Sequence, residues 1–116
     1  MSITHQVFVV PSAIAIGLLD EQYVLCIEVF ERAGLKTYRA EPEEACERMT
    51  KLLPQIVAVP HELSAGLREM IDDRAVAVGA IVAELHAQQD FASIEKTLDD
   101  AVAAARAARG RKPRSA

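Results

Sequence analysis

One stretch constrains the fold of this chain most strongly, the apolar run of residues 53–63 that contains a proline near each end. Proline lacks a backbone N–H, so it is tolerated where strand pairing starts or stops and not in the middle of a sheet. The continuous apolar residues between Pro54 and Pro60 therefore predict a strand that is buried on both faces. Open α/β sheets place their sites beyond the C-terminal ends of strands, but Pro60 at that position offers no acid, base, nucleophile or metal ligand.

The amino-acid composition fits one domain with an aliphatic core. The chain has 116 residues, of which 51% are hydrophobic and only 4% aromatic, with no tryptophan. No apolar run reaches the roughly 18 residues that span a bilayer, and no basic segment precedes a hydrophobic one at the N-terminus. We therefore expect a cytoplasmic protein without membrane contact, in which Cys26 and Cys46 are ordinary reduced packing residues.

Charge is distributed unevenly along the chain. All 17 acidic residues lie at or before Asp100, together with only 8 basic ones, whereas five of the 13 basic residues follow Asp100. We predict one domain over residues 1–109 and a disordered basic tail over residues 110–116. A basic tail can associate with nucleic acid, which we keep as a second alternative function. The acidic body would repel a phosphate backbone, so we favour a solvated terminus and expect no nucleic-acid partner.

Hydrophobic periodicity and punctuation residues predict four strands that alternate with four helices. The predicted strands cover residues 6–10, 35–39, 55–59 and 75–83, and the predicted helices cover residues 20–33, 41–53, 65–73 and 93–109. A helix remains an alternative for residues 75–83, and the first helix starts either near Ser12 or at Asp20. Strict alternation implies right-handed crossovers and parallel strands. We therefore predict an α/β three-layer sandwich of flavodoxin type with a mostly parallel sheet of four to five strands.

Three segments, residues 7–10, 30–37 and 53–59, resemble the receiver domain of bacterial response regulators. The resemblance extends over about residues 5–109. It implies that two acidic residues follow the first strand and hold Mg²⁺. It also implies a phosphoacceptor aspartate at the end of the third strand and a hydroxyl-bearing residue after the fourth.

This chain departs from the receiver pattern at each of those positions. The acidic pair falls on Pro11 and Ser12, the acceptor falls on Pro60, and the hydroxyl-bearing residue falls near Val82 or Ala83. Without carboxylates there is no oxygen cage for Mg²⁺ and no acyl phosphate. The resemblance then implies a degenerate pseudo-receiver that needs no cofactor. We expect a non-catalytic protein-interaction module in bacterial signalling or protein localisation.

Receiver relatives dock partners or dimerise through the face formed by their last helices, and here that region contains Leu85, Phe91 and Ile94. Exposed together, these side chains would form an apolar patch for a protein partner, including a second copy of the chain. The alternative is that each of them closes the hydrophobic core.

Polar side chains near two predicted strand ends provide the only candidate chemistry. They are His61, Glu62, Glu84 and His86, which could form an acid/base pair or bind zinc if the strands are neighbours. Their spacing is not diagnostic, and polar residues at strand ends are usually solvated. The alternative function is therefore a small-ligand or metal-dependent activity at the strand ends near Pro11, Pro60 and Glu84. Ser12 after the first predicted strand is a helix cap rather than a nucleophile.

Overall fold

Strands and helices alternate throughout the computed structural model, which describes residues 10–110 and the side chains of residues 10–108. The elements are β1 (Ser12–Ile16), α1 (Asp20–Arg32), β2 (Lys36–Ala40), a 3₁₀ turn (Pro42–Glu44), α2 (Ala45–Leu52), β3 (Ile56–Pro60), α3 (Ala65–Val78), β4 (Ile81–Leu85) and α4 (Phe91–Gly110). The four strands form one sheet in the order β2-β1-β3-β4, and every neighbouring pair is parallel. This confirms the predicted α/β fold, and residues 10–110 contain no fifth strand.

The helices cover both faces of the sheet and bury two separate apolar cores. Helices α1 and α4 pack on one face around Phe30 and Leu98, and α2 and α3 pack on the other around Met49 and Ile71. Strand β3 contributes to both cores, because successive strand side chains point to opposite faces. Its residues Ile56 to Val59 are all fully buried. The strand predicted between the two prolines is therefore central, as its continuous apolarity indicated.

The sequence did not predict a strand at the position of β1. Residues 6–9 lie outside the described part of the chain, Val10 is 57% exposed, and β1 begins only at Ser12. Pro11 directly precedes this strand, a position that proline also tolerates. The carbonyl of Pro11 accepts a hydrogen bond from Lys36 N at 2.9 Å, which connects the entry of β1 to β2. Ser12 is therefore a buried strand residue and does not cap a helix.

The predicted strand over residues 75–83 was wrong in its first half. Helix α3 continues to Val78 and ends where Gly79 takes a left-handed conformation with φ of 76°. Gly79 can adopt this conformation without the steric cost of a Cβ atom. Ala75 lies on the buried side of the helix and packs into the core. This tertiary contact favours a helix, although the residues around Ala75 are also compatible with a strand. Val82 and Ala83 consequently lie inside β4 and not after it.

Candidate functional site

A shallow cleft opens at the C-terminal ends of β1 and β3, where the chain order of the sheet reverses. Its volume is about 300 Å³, and we call it the switch-point cleft. The lining residues are mostly apolar and are Gly17, Leu19, Gln22, Pro60, Glu62, Leu63 and Ala87. Parallel α/β sheets place ligands at this point, because the connections after the two strands diverge to opposite faces.

Gly17 shapes the wall of the cleft directly after β1. Its φ is 62°, a left-handed conformation that glycine adopts easily. Its N–H donates to Ala40 O at 3.0 Å, and a Cβ atom added to it would lie 2.9 Å from Cγ of Pro42. The chain can therefore turn out of β1 toward α1 only because this position has no side chain.

Gln22 is the one buried polar side chain of the cleft, and both ends of its amide are engaged. Its Oε1 accepts from Leu19 N at 3.1 Å, and its Nε2 donates to His86 O at 3.4 Å. The side chain thus connects the first turn of α1 to the loop after β4. Its amide serves to hold the cleft together and is not free to bind a ligand.

The observed strand limits change which residues stand at two of the positions that the receiver resemblance implies. The residues that follow β1 are Gly17 and Leu18, not Pro11 and Ser12, and His86 follows β4, not Val82 or Ala83. Pro60 remains the last residue of β3 and pairs with Leu85. The nearest acid after β1 is Asp20, whose carboxylate accepts from Arg39 Nη2 at 2.6 Å.

A second group of polar side chains lies at the ends of β3 and β4, and we call it the His-Glu cluster. It consists of His61, Glu84 and His86, brought together because Pro60 and Leu85 are paired in the parallel register. Nδ1 of His61 lies 3.2 Å from Oε1 of Glu84, and Nε2 of His86 lies 3.6 Å from the same oxygen. The two imidazole rings stack with their centroids 4.2 Å apart. Glu62, the fourth sequence candidate, is not part of the cluster.

Arg68 on α3 completes the surroundings of Glu84. Its Nη1 donates to Oε2 of Glu84, and its Nε donates to Oδ1 of Asp72 at 2.9 Å. The hydrogen bond from Arg68, followed by that from His61, lowers the pKa of Glu84 below its ordinary value. Glu84 is therefore a carboxylate at neutral pH, with one oxygen on Arg68 and the other toward the histidines.

The predicted apolar patch for a partner was wrong for two of its three residues. Leu85 is fully buried and Ile94 is only 3% exposed, because both pack into the core between the sheet and helices α1 and α4. Phe91, the first residue of α4, is 66% exposed. A contact between Phe91 and a partner remains a prediction. The basic tail lies outside the described residues, apart from Gly110 at the end of α4.

Sequence reasoning did not find Arg68 or the apolar lining of the switch-point cleft. Arg68 and Asp72 have the i,i+4 spacing of a helical ion pair, but this spacing is common on exposed helices and did not point to Glu84. Leu19 and Leu63 fit ordinary core periodicity, so only their position around Pro60 distinguishes them.

No family model, curated protein or solved structure matches this chain. Within residues 10–110, none of the helices is both long enough and apolar enough to cross a membrane. Function must therefore be inferred from the arrangement of the side chains themselves.

Proposed function

We propose that this protein is a non-catalytic protein-interaction module, a receiver-like domain that works without phosphorylation in bacterial signalling or protein localisation. The observation that carries the proposal is the composition of the switch-point cleft. Apolar surface from Leu19, Pro60 and Leu63 occupies the point where a parallel α/β sheet would present its reacting groups. A mostly apolar cleft whose one acidic lining residue is Glu62 is suited to binding a partner side chain.

The residues at the strand ends argue against phosphoryl transfer. Mg²⁺ is held by oxygen ligands, usually including carboxylates, and an acyl phosphate forms on an aspartate. Gly17 and Leu18 follow β1, and Pro60 ends β3, so none of these side chains supplies an oxygen. Asp20 already pairs with Arg39 at the start of α1.

The size and charge of the cleft define the partner it would accept. A volume of about 300 Å³ lies at the lower limit of small-molecule pockets, so it suits one or two side chains better than a nucleotide. Glu62 lines the cleft, and Asp20 and Glu21 follow Leu19 at the start of α1. We therefore propose a partner segment that inserts an aliphatic or aromatic side chain next to a lysine or arginine.

A peptide array tests this docking mode directly. The array presents single leucine, isoleucine or phenylalanine anchors flanked by lysine, arginine, serine or glutamate. We expect binding of anchors with basic neighbours, followed by at least a roughly tenfold loss of affinity in Leu19→Glu, since a carboxylate would be buried against the anchor.

Val24→Glu is the matched control, because Val24 lies on α1, the helix that Leu19 precedes, and both residues are 53% exposed. Val24→Glu should keep full affinity. The proposal is wrong if no anchored peptide binds, or if Leu19→Glu and Val24→Glu bind the selected peptides equally well.

A further inference from the structure

We propose that the His-Glu cluster is a binding site for a divalent transition-metal ion, with Zn²⁺ as the expected occupant. His61, Glu84 and His86 would each supply one ligand atom. This inference is independent of the proposed docking function, because none of the three side chains lines the switch-point cleft.

Two distances within the cluster are close to the separation expected between the ligands of one tetrahedral ion. Zinc lies about 2.0 to 2.2 Å from histidine nitrogen and carboxylate oxygen, so two of its ligand atoms are roughly 3.3 Å apart. Here Oε1 of Glu84 lies 3.2 Å from the His61 nitrogen and 3.6 Å from the His86 nitrogen. All three ligand atoms lie within 4.8 Å of one another. The two rings are stacked, so their planes must rotate apart for both nitrogens to bind one ion.

The backbone that carries these side chains is well fixed. Glu84 is an internal residue of β4, and His61 N donates to Leu85 O at 2.8 Å, which continues the ladder past the end of β3. His86 N donates to Oε1 of Gln89 at 2.7 Å, and its carbonyl accepts from Gln22. The backbone positions of the three residues are therefore fixed before an ion arrives, which lowers the entropic cost of binding.

Arg68 orients the carboxylate without taking the ligand oxygen. It contacts Oε2 of Glu84, whereas both histidines approach Oε1. Metal-binding carboxylates are commonly held in this way by an outer hydrogen-bond partner. Asp72 pairs with Arg68 and offsets its positive charge. Together Arg68, Asp72 and Glu84 carry one net negative charge, so the site still attracts a cation.

The imidazole side chains are accessible to an ion from solvent. The side chains of His61 and His86 are 55% and 48% exposed, and that of Glu84 is 34% exposed. Three protein ligands of this kind leave a fourth tetrahedral position for water. Imidazole nitrogen with carboxylate oxygen is a ligand set suited to Zn²⁺ and other late first-row metals, and less so to Mg²⁺ or Ca²⁺.

Titration of the full, chelator-treated chain with Zn²⁺ alone, followed by calorimetry, tests the site. We expect one ion per chain and a rise in melting temperature of several degrees at saturating metal, because the ion binds the folded form. Mg²⁺ at the same concentration should leave the melting temperature unchanged. Co²⁺ should produce the visible absorption bands of a four-coordinate site.

Single substitutions test whether the ion binds to this cluster or to other candidate ligands in the chain. Glu84→Gln, His61→Ala and His86→Ala should each weaken Zn²⁺ binding by at least about tenfold. Glu62→Gln and Cys46→Ser should bind as the parent does, since neither residue belongs to the cluster. Circular dichroism verifies that each variant is folded. The proposal is overturned if Zn²⁺ does not bind saturably, if binding survives His86→Ala, or if it is lost in Glu62→Gln or Cys46→Ser.

Discussion

Replacing Gly17 by alanine tests whether the turn after β1 has room for a side chain. Gly17 has φ of 62°, and an added Cβ would lie 2.9 Å from Cγ of Pro42. A non-glycine residue in the left-handed conformation costs about 1 to 2 kcal/mol. The proline ring cannot rotate away from the new methyl group, so overpacking adds about 1 to 3 kcal/mol. We expect Gly17→Ala to lower the free energy of unfolding by roughly 2 to 5 kcal/mol.

Two further glycines separate the two contributions. Gly79 has φ of 76° but no atom within 4 Å of an added Cβ, so Gly79→Ala should cost only the conformational strain of about 1 to 2 kcal/mol. Gly66 lies in α3 with an ordinary φ and open space around it. Gly66→Ala should therefore stabilise the protein by about 0.4 to 1 kcal/mol, because it restricts the unfolded chain.

Urea unfolding of the three variants, followed by circular dichroism, measures these differences at constant m-value. In thermal melts, Gly17→Ala should unfold roughly 8 to 20 °C below the parent, at about 4 °C for each kcal/mol. Equal losses in Gly17→Ala and Gly79→Ala would show that Pro42 does not restrict this turn. A neutral Gly17→Ala would refute the left-handed conformation as well.

Three other predictions concern phosphorylation, the central strand and the cysteines. Acetyl phosphate with Mg²⁺ should add no phosphate to the parent protein, which has Pro60 in place of an acceptor. Pro60→Asp should not be phosphorylated either, because the acids that would hold Mg²⁺ are still missing after β1. A phosphate mapped by mass spectrometry near residue 60 would contradict this prediction. Val57→Asp should cost about 3 to 5 kcal/mol or more, since Val57 is fully buried, and a melt within a few degrees of the parent would place β3 at an exposed edge. Burial raises the pKa of Cys26 to about 12. In the native protein a thiol reagent at pH 8 should therefore label half-buried Cys46 first, and it should label Cys26 only after unfolding. Equal labelling rates would contradict the buried position of Cys26.

Local sequence signals were sufficient where a segment has a clear period and clear ends. The prolines around β3 and the apolar spacing in α1 lie within a few residues of the structure they determine. The alternation of strands and helices along the chain also predicted the α/β fold. Strand–helix–strand crossovers of the preferred hand connect parallel strands, so a parallel sheet follows from this order. The predicted limits were least accurate for β1 and β4, because the local sequence signals there are compatible with two structures.

Pro11 is compatible with either end of a strand, and only the pairing of Ser12 with Lys36 shows that it precedes one. The alanine and valine residues around Ala75 are compatible with a helix or a strand. Packing of Ala75 against the core selects the helix, and long-range contacts of this kind override weak local preferences.

Tertiary structure alone decided which side chains meet. The register that pairs Pro60 with Leu85 places His61 beside His86, although the two residues are far apart in the chain. Packing of α3 brings Arg68 within hydrogen-bonding distance of Glu84. Packing of α4 buries Ile94, which the sequence analysis considered as a partner contact. Helix and strand formation depend mainly on neighbouring residues, whereas register and burial depend on how whole elements pack. For this reason the sequence could predict the layers of this protein but not the composition of its sites.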